Sequence, residues 1–276
     1  MEVGAKLART LEAAHGWCIS QYAASVARLN PHVRAAVAPV NSGVSIYVGP
    51  SPFSFAVGLA MDAPIAEAEI NEVEDFFRSR SIPPRIDICP YTDPGLLPIL
   101  EQRGYTPAEV TSVLAFDLEA DLRATKNDHA VLRWAEEQDC DVWVDVVARC
   151  FFETDPGERA RSRMAALFQV PDSLNVIATV GGSLAGVAGG MIPEDRAVAA
   201  LFGSAVLPQF RHNRVHQAMI DFRLQRAKEL GCRLAVASAT PGTVSEHNLT
   251  RFGFVPCYHK ITYVAPCDQR AASGSR

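Results

Sequence analysis

The stretch QFRHNRVHQAMI, Gln209–Ile220, gathers Arg211, His212, Asn213, Arg214 and His216 between Pro208 and an amphipathic run. A helix opening there presents N–H groups that have no partner within the helix, and its macrodipole adds partial positive charge. Two arginines at that end cost roughly 0.3–1 kcal/mol each unless an anion offsets them. The chemistry implied is anion binding, with a phosphate-bearing ligand seated on backbone N–H groups. His212 and His216 stand at i, i+4, a spacing that can hold a divalent metal. No Glu follows the first His, so the metalloprotease pattern is missing and no metal site is expected. Cys150 has no His and Asn or Asp at a recognisable spacing and reads as packing.

The elements around this turn are legible. Asp139 to Phe152 suits a helix with an apolar stripe, and Gly157 to Gln169 a second one with Arg159, Arg161 and Arg163 on its polar side. SLNVIATVGGSLAGVAGGMI gives two strands around Gly181-Gly182, a hairpin turn whose positive φ values Gly adopts without cost. RAVAALFGSAVLP supplies a third strand, stopped by Pro208. A helix follows from Asn213 to Leu230, with Val215, Met219, Phe222 and Leu230 on one face, and Gly231 ends it. RLAVASA reads as a short buried strand, Thr243 to Phe252 as a short helix, and FVPCYHKITYV as strand, with one more strand expected at the end.

The first half echoes this pattern. Arg85–Cys89 matches Arg233–Ala237, Pro94-Gly95 matches Pro241-Gly242, and Gly104-Tyr105 matches Gly253-Phe254. The common offset is far too long for a solenoid repeat, so two copies of one domain are the simplest account. Asp117 to Asp128, charged and weakly periodic, is the expected linker, and Asp268–Arg276 an expected frayed tail. In the first copy, Gly58–Met61 leads into a helix beginning near Pro64 that carries Glu67, Glu69, Glu72, Glu74 and Asp75. Carboxylates in a first turn suit a helix end with no bound anion, so this copy is not expected to hold the ligand.

With 26 basic and 31 acidic side chains the formal charge is −5, which argues against nucleic acid or anionic membrane as partners. The first thirty residues form neither a signal-peptide core nor a membrane span, and a soluble, cytoplasmic protein is expected. Seven cysteines without C-x-x-C spacing read as reduced thiols.

The second half resembles the GNAT superfamily, the Gcn5-related N-acetyltransferases, whose pyrophosphate loop reads R/Q-x-x-G-x-G/A. The corresponding residues are Arg211, His212, Asn213, Arg214, Val215 and His216. ALFGSAVLPQFR before this loop and TPGTVSEHNLTRFGFVPCYHK after it resemble a bacterial subgroup with two tandem GNAT domains. The first copy, ending in LPILEQRGYTP, is similar to that subgroup's degenerate N-terminal domain. The resemblance implies an α/β (α+β) chain of two tandem GNAT-like domains, each a mixed central sheet flanked by helices. Residues 1–120 would be the degenerate copy and 129–266 the acetyl-CoA-binding one.

It also implies transfer of an acetyl group from acetyl-CoA, as cosubstrate, to a small-molecule amine or an exposed amino group by direct attack. The oxyanion would be held by backbone N–H at Val206 and Leu207, whose side chains read equally as core. Tyr258 is the candidate for protonating the CoA thiolate, and a half-buried strand tyrosine is its plainer reading. Glu153 is a candidate general base or a solvated helix-end carboxylate, and Glu246 is similar. Ser245 and Asn248 match an S-x-x-N pattern that contacts the cofactor arm or caps the short helix. The loop departs from the family where Arg214 replaces Gly and His216 replaces Gly, Ala or Gln. Arg214 either stands aside and adds a phosphate contact or fills the space the phosphate needs. The alternative function is a non-catalytic acyl-CoA-binding or regulatory GNAT-like protein; oligomerisation is left open.

Overall fold

The computed structural model describes residues 1–119 and 130–266. In chain order the elements are α1 (Ala5–Leu29), β1 (Ala36–Val40), β2 (Gly43–Tyr47), β3 (Phe55–Val57), α2 (Glu67–Arg78), β4 (Arg85–Ile88), α3 (Leu96–Gln102), β5 (Thr106–Asp117), β6 (Ala130–Trp134), α4 (Cys140–Phe151), α5 (Glu158–Phe168), β7 (Val176–Val180), β8 (Ser183–Met191), β9 (Val198–Val206), α6 (Val215–Glu229), β10 (Leu234–Ala239), α7 (Val244–Phe252) and β11 (Val255–Val264). The second-half helices and strands fall within a few residues of their predicted bounds. Gly181 and Gly182 take φ of +57° and +79°, as the hairpin turn requires.

All strands join one 11-stranded sheet in the order β1-β2-β3-β4-β11-β5-β10-β9-β8-β7-β6. Two pairs, β3/β4 and β9/β10, are parallel, and the other pairs are antiparallel. The two copies occupy the two ends of the sheet and exchange strands at its middle. β5 of the first half lies between β10 and β11, while β11 lies between β4 and β5. The further strand expected after β11 is not found among the described residues, and the place beside β10 is taken by β5. That exchange makes one continuous sheet of two. The predicted linker begins inside β5, which runs through Asp117, and residues 120–128 of it lie outside the described residues, as does the Asp268–Arg276 tail.

Helices cover both faces. α1, α4 and α5 pack on one: Leu11, Ala14 and Cys18 of α1 meet Val198, Ala200 and Val236, and Trp143 and Val147 of α4 meet Val187 and Ala205. α2 and α3 cover the opposite face of the first copy through Ile70, Phe77 and Leu100, and α6 and α7 that of the second through Ile220, Leu224 and Leu249.

A buried polar cluster sits on the seam. Lys260 Nζ (β11) lies 3.2 Å from Asp87 (β4), 3.5 Å from Glu12 (α1) and 2.8 Å from His15 Nδ1. Thr262 donates to Asp87 and Tyr258 to Glu12, both at 2.7 Å. Burial opposes the charge on Lys260, but Glu12 and Asp87 outweigh it and hold the ammonium above its ordinary range. Burial, reinforced by Lys260, drops His15 to about 3, so its imidazole is neutral.

Candidate active site: an opened strand pair and an uncapped helix

β9 carries a bulge that separates it from β10. Its register against β8 passes from Val187↔Ala205 to Gly189↔Phe202, so Gly203 and Ser204 together oppose Ala188. Gly203 takes φ +61°, and a Cβ there would stand 3.4 Å from the Trp143 ring. A glycine in the left-handed region at a bulge bends the strand and sharpens its twist. Trp143, fully buried on α4, holds the other side of the bulge by donating its indole N–H to Ala188 C=O at 3.2 Å. Beyond the bulge the strands part. β10 pairs with β9 from Leu234↔Val198 to Ala237↔Leu201 and no further, while Ser238 and Ala239 stay paired to β5.

The opening exposes one backbone donor. Leu207 N–H donates to Ala185 C=O at 2.9 Å, in step with the pairs Gly186↔Val206 and Val187↔Ala205. Hydrogen-bonded and non-hydrogen-bonded pairs alternate along an antiparallel ladder, so Val206 turns its N–H and C=O away from β8 and into the opening. Leu207, expected as a second donor, is spent in the sheet because the ladder runs one residue past β9.

The turn after β9 leads to α6. Pro208–Phe210 form a single 3-10 turn, then His212 and Arg214 take φ of +68° and +56°. The Gly position of the loop is thus a left-handed one, and Arg214 occupies it at a local cost. The first helical bond runs from Ala218 N–H to Arg214 C=O at 3.0 Å, which leaves the N–H groups of Val215, His216 and Gln217 without helical acceptors. Among the described residues no side chain caps this end, and no acid stands in the first turn. Arg211 Nε donates to Val206 C=O at 3.4 Å; the Arg211 and Arg214 side chains are exposed, and neither pairs with a carboxylate among the described residues. Arg211, His212, Asn213 and Arg214 therefore surround an unneutralised helix N-terminus. His216 differs: burial, then the nearby Arg223 charge, lower it to about 4, and its buried Nδ1 has no partner among the described residues.

The other predicted residues divide. Cys150 Sγ lies 3.5 Å from Val206 C=O, so the end of α4 reaches the opening, and Glu153 follows it in an exposed turn. Thr243 and Glu246 cap α7: Thr243 Oγ1 accepts from Glu246 N–H at 3.5 Å, and Glu246 accepts from Gly242 N–H at 2.7 Å and from Ser112. The Ser112 and Gly242 bonds hold the Glu246 carboxyl below its usual range, the opposite of what a general base needs. Capping is thereby taken from Ser245, which is exposed, while Asn248 is half-buried one turn on. Tyr258 is not brought to the opening. The inserted β5 puts its strand two places from β10, about 10 Å away, and its hydroxyl is committed to Glu12 on the α1 face. Burial, then the Glu12 charge, push its pKa far up. Trp143 and Arg223, which flank the bulge, were not singled out from sequence.

Residues 140–254 match the family model described as Acetyltransferase (GNAT) family. The whole chain has the fold of tandem GNAT proteins. It is similar to a GCN5-related N-acetyltransferase from Kribbella flavida at 18% identity and a TM-score of 0.65, covering 91% of this chain and 97% of that one. It is also similar to a tandem GNAT protein from the clavulanic acid biosynthesis pathway, at 15% identity and a TM-score of 0.58, over 83% of this chain and 79% of that one. A functionally unknown conserved protein from Staphylococcus epidermidis ATCC 12228 aligns at 12% identity with a TM-score of 0.59, over 84% and 94% of the two chains. No curated protein matches the sequence. Among the described residues no helix is long and apolar enough to cross a membrane.

Proposed function

We propose that the chain moves an acetyl group from acetyl-CoA to the amino group of an acceptor, a small amine or an exposed amino group on a larger molecule. Residues 129–266 would be the active copy and 1–120 the degenerate one. The observation that carries this reading is the uncapped, acid-free start of α6, flanked by Arg211 and Arg214, directly after the strand that opens from β10. The three free N–H groups and the two guanidiniums suit the CoA diphosphate, and the opening suits the pantetheine arm. The thioester then lies beside the Val206 N–H. The amine nitrogen attacks the thioester carbonyl, the Val206 N–H donates to the resulting oxyanion, and the C–S bond breaks to release the thiolate. Glu153 is the candidate acceptor of the amine proton, and Ser245 and Asn248 the candidate contacts to the cofactor arm.

One observation favours a second reading, a non-catalytic acyl-CoA binder: the tyrosine expected to protonate the thiolate is sequestered by Glu12. Thiol release separates the two. Full-length protein at substrate-level concentration, with acetyl-CoA and a panel of amines, is expected to release free CoA thiol with at least one amine. CoA binding without release from any amine supports the binder and overturns transfer.

A further inference from the structure

Arg223, in the middle of α6, is 0% exposed. Its guanidinium takes only neutral acceptors: Nε donates to Met219 C=O at 2.9 Å, Nη1 to Gly189 C=O and to Phe202 C=O at 3.3 Å, and Nη2 to Ser204 Oγ at 2.9 Å. Among the described residues no carboxylate is among its partners. A buried cation without a counter-ion is costly, and its neighbours Met219, Ile220 and Leu224 form an ordinary apolar core. The acceptors explain its place. Gly189 and Phe202 are the last pair before the bulge, and Ser204 lies within it. The irregularity leaves strand carbonyls in need of donors that a regular ladder would have supplied, and Arg223 supplies them.

We propose that Arg223 is a positioning residue for acyl-CoA: from the α6 face it pins the Gly203–Ser204 bulge, which keeps β9 turned away from β10 and aims the Val206 N–H into the opening. The inference rests on the acyl-CoA reading of that opening. Trp143 holds the same bulge from the opposite face through Ala188 C=O, so the bend is clamped from both sides of the sheet. Arg223 also carries an unneutralised charge two helical turns below the first turn of α6, on the face shared with His216 at i, i−7. Burial, then that charge, lowers His216 at the first turn of α6.

A methionine at 223 would fill much of the volume but leave Gly189 C=O, Phe202 C=O and Ser204 Oγ without their donor. The test uses full-length Arg223→Met, Arg223→Lys and Ser204→Ala, each read by calorimetric titration with CoA and by ligand-free amide hydrogen exchange over residues 198–207. Arg223→Met is expected to weaken CoA at least tenfold and to speed exchange in that peptide at least tenfold, with peptides from β6 and β7 unchanged. Arg223→Lys is expected to restore part of both, and Ser204→Ala to show a loss of about threefold. Should Arg223→Met fail to fold, the Arg223→Lys and Ser204→Ala pair carries the same comparison. Wild-type affinity and wild-type exchange in the folded variants would overturn the proposal. If the wild type binds no CoA, the acyl-CoA reading falls, and ligand-free exchange still decides whether Arg223 holds the bulge.

Discussion

The two copies in this chain start their post-splay helices in opposite ways. In the first, α2 closes its own N-terminus: Glu69 accepts from Ala66 N–H at 2.7 Å, Asn41 holds the same carboxylate at 3.2 and 3.3 Å, and Glu67 stands one turn-position away in the same first turn. In the second, α6 has no side-chain cap among the described residues and no acid in its first turn: Val215 and Gln217 stand where the first copy has Glu67 and Glu69, and Arg211 and Arg214 come just before the helix. A helix end that carries its own anion is already neutralised, while one left open beside added cations favours an anion. The strands differ in parallel. β3 and β4 are three and four residues long and meet through the single pair Ala56↔Ile86, whereas β9 and β10 form a four-residue parallel ladder that a clamped bulge then opens. The same layout is thus closed in one copy and open in the other.

The largest effect is expected where the copies meet. Replacing Lys260 by Met leaves Glu12 and Asp87 buried together without their ammonium, which should cost about 3–5 kcal/mol by the usual penalty for breaking a buried ion pair, read as a lower midpoint in urea. A loss below about 1 kcal/mol, within the range of an exposed pair, would mean the seam is not held by this cluster. The next effect sharpens the contrast between helix starts. Gln217→Glu puts a carboxylate at the position that Glu69 occupies in α2. It should weaken CoA about fivefold at low salt, in line with a dipole-scale change of roughly 1 kcal/mol, while leaving thermal stability equal or slightly raised. Unchanged affinity would separate the α6 terminus from the ligand.

Much of this contrast could be read from residue types. The acidic start of α2, the basic turn before α6 and the Gly181-Gly182 hairpin all follow from local chemistry, and the echo between Arg85–Cys89 and Arg233–Ala237 marks equivalent strands, β4 and β10. What escaped depends on which distant partner an element meets. Local periodicity does not say that β5 inserts between β10 and β11, and that insertion is what carries Tyr258 away from the opening. α1 went unread as a helix because its inward face includes Glu12 and His15 among Leu11, Cys18 and Tyr22, which breaks the apolar stripe; Lys260 from the far end of the chain makes that face buriable. Nothing in its local sequence marks Arg223 for burial. The first ten residues of α6 are buried or half-buried on every side, with Phe222 against Trp134 at 4.4 Å on one side and Arg223 on the bulge on another, so a single apolar stripe does not describe it. Of the two backbone donors at 206 and 207, ladder parity selects one, and parity depends on the bulge.

The central claim is that the start of α6 is an anion seat for the diphosphate of CoA. Calorimetric titration of CoA into the full-length protein at two salt concentrations tests it most directly. One site per chain is expected, weaker at the higher salt, with a melting temperature that rises as ligand exceeds Kd. No heat and no melting shift at millimolar CoA would contradict it.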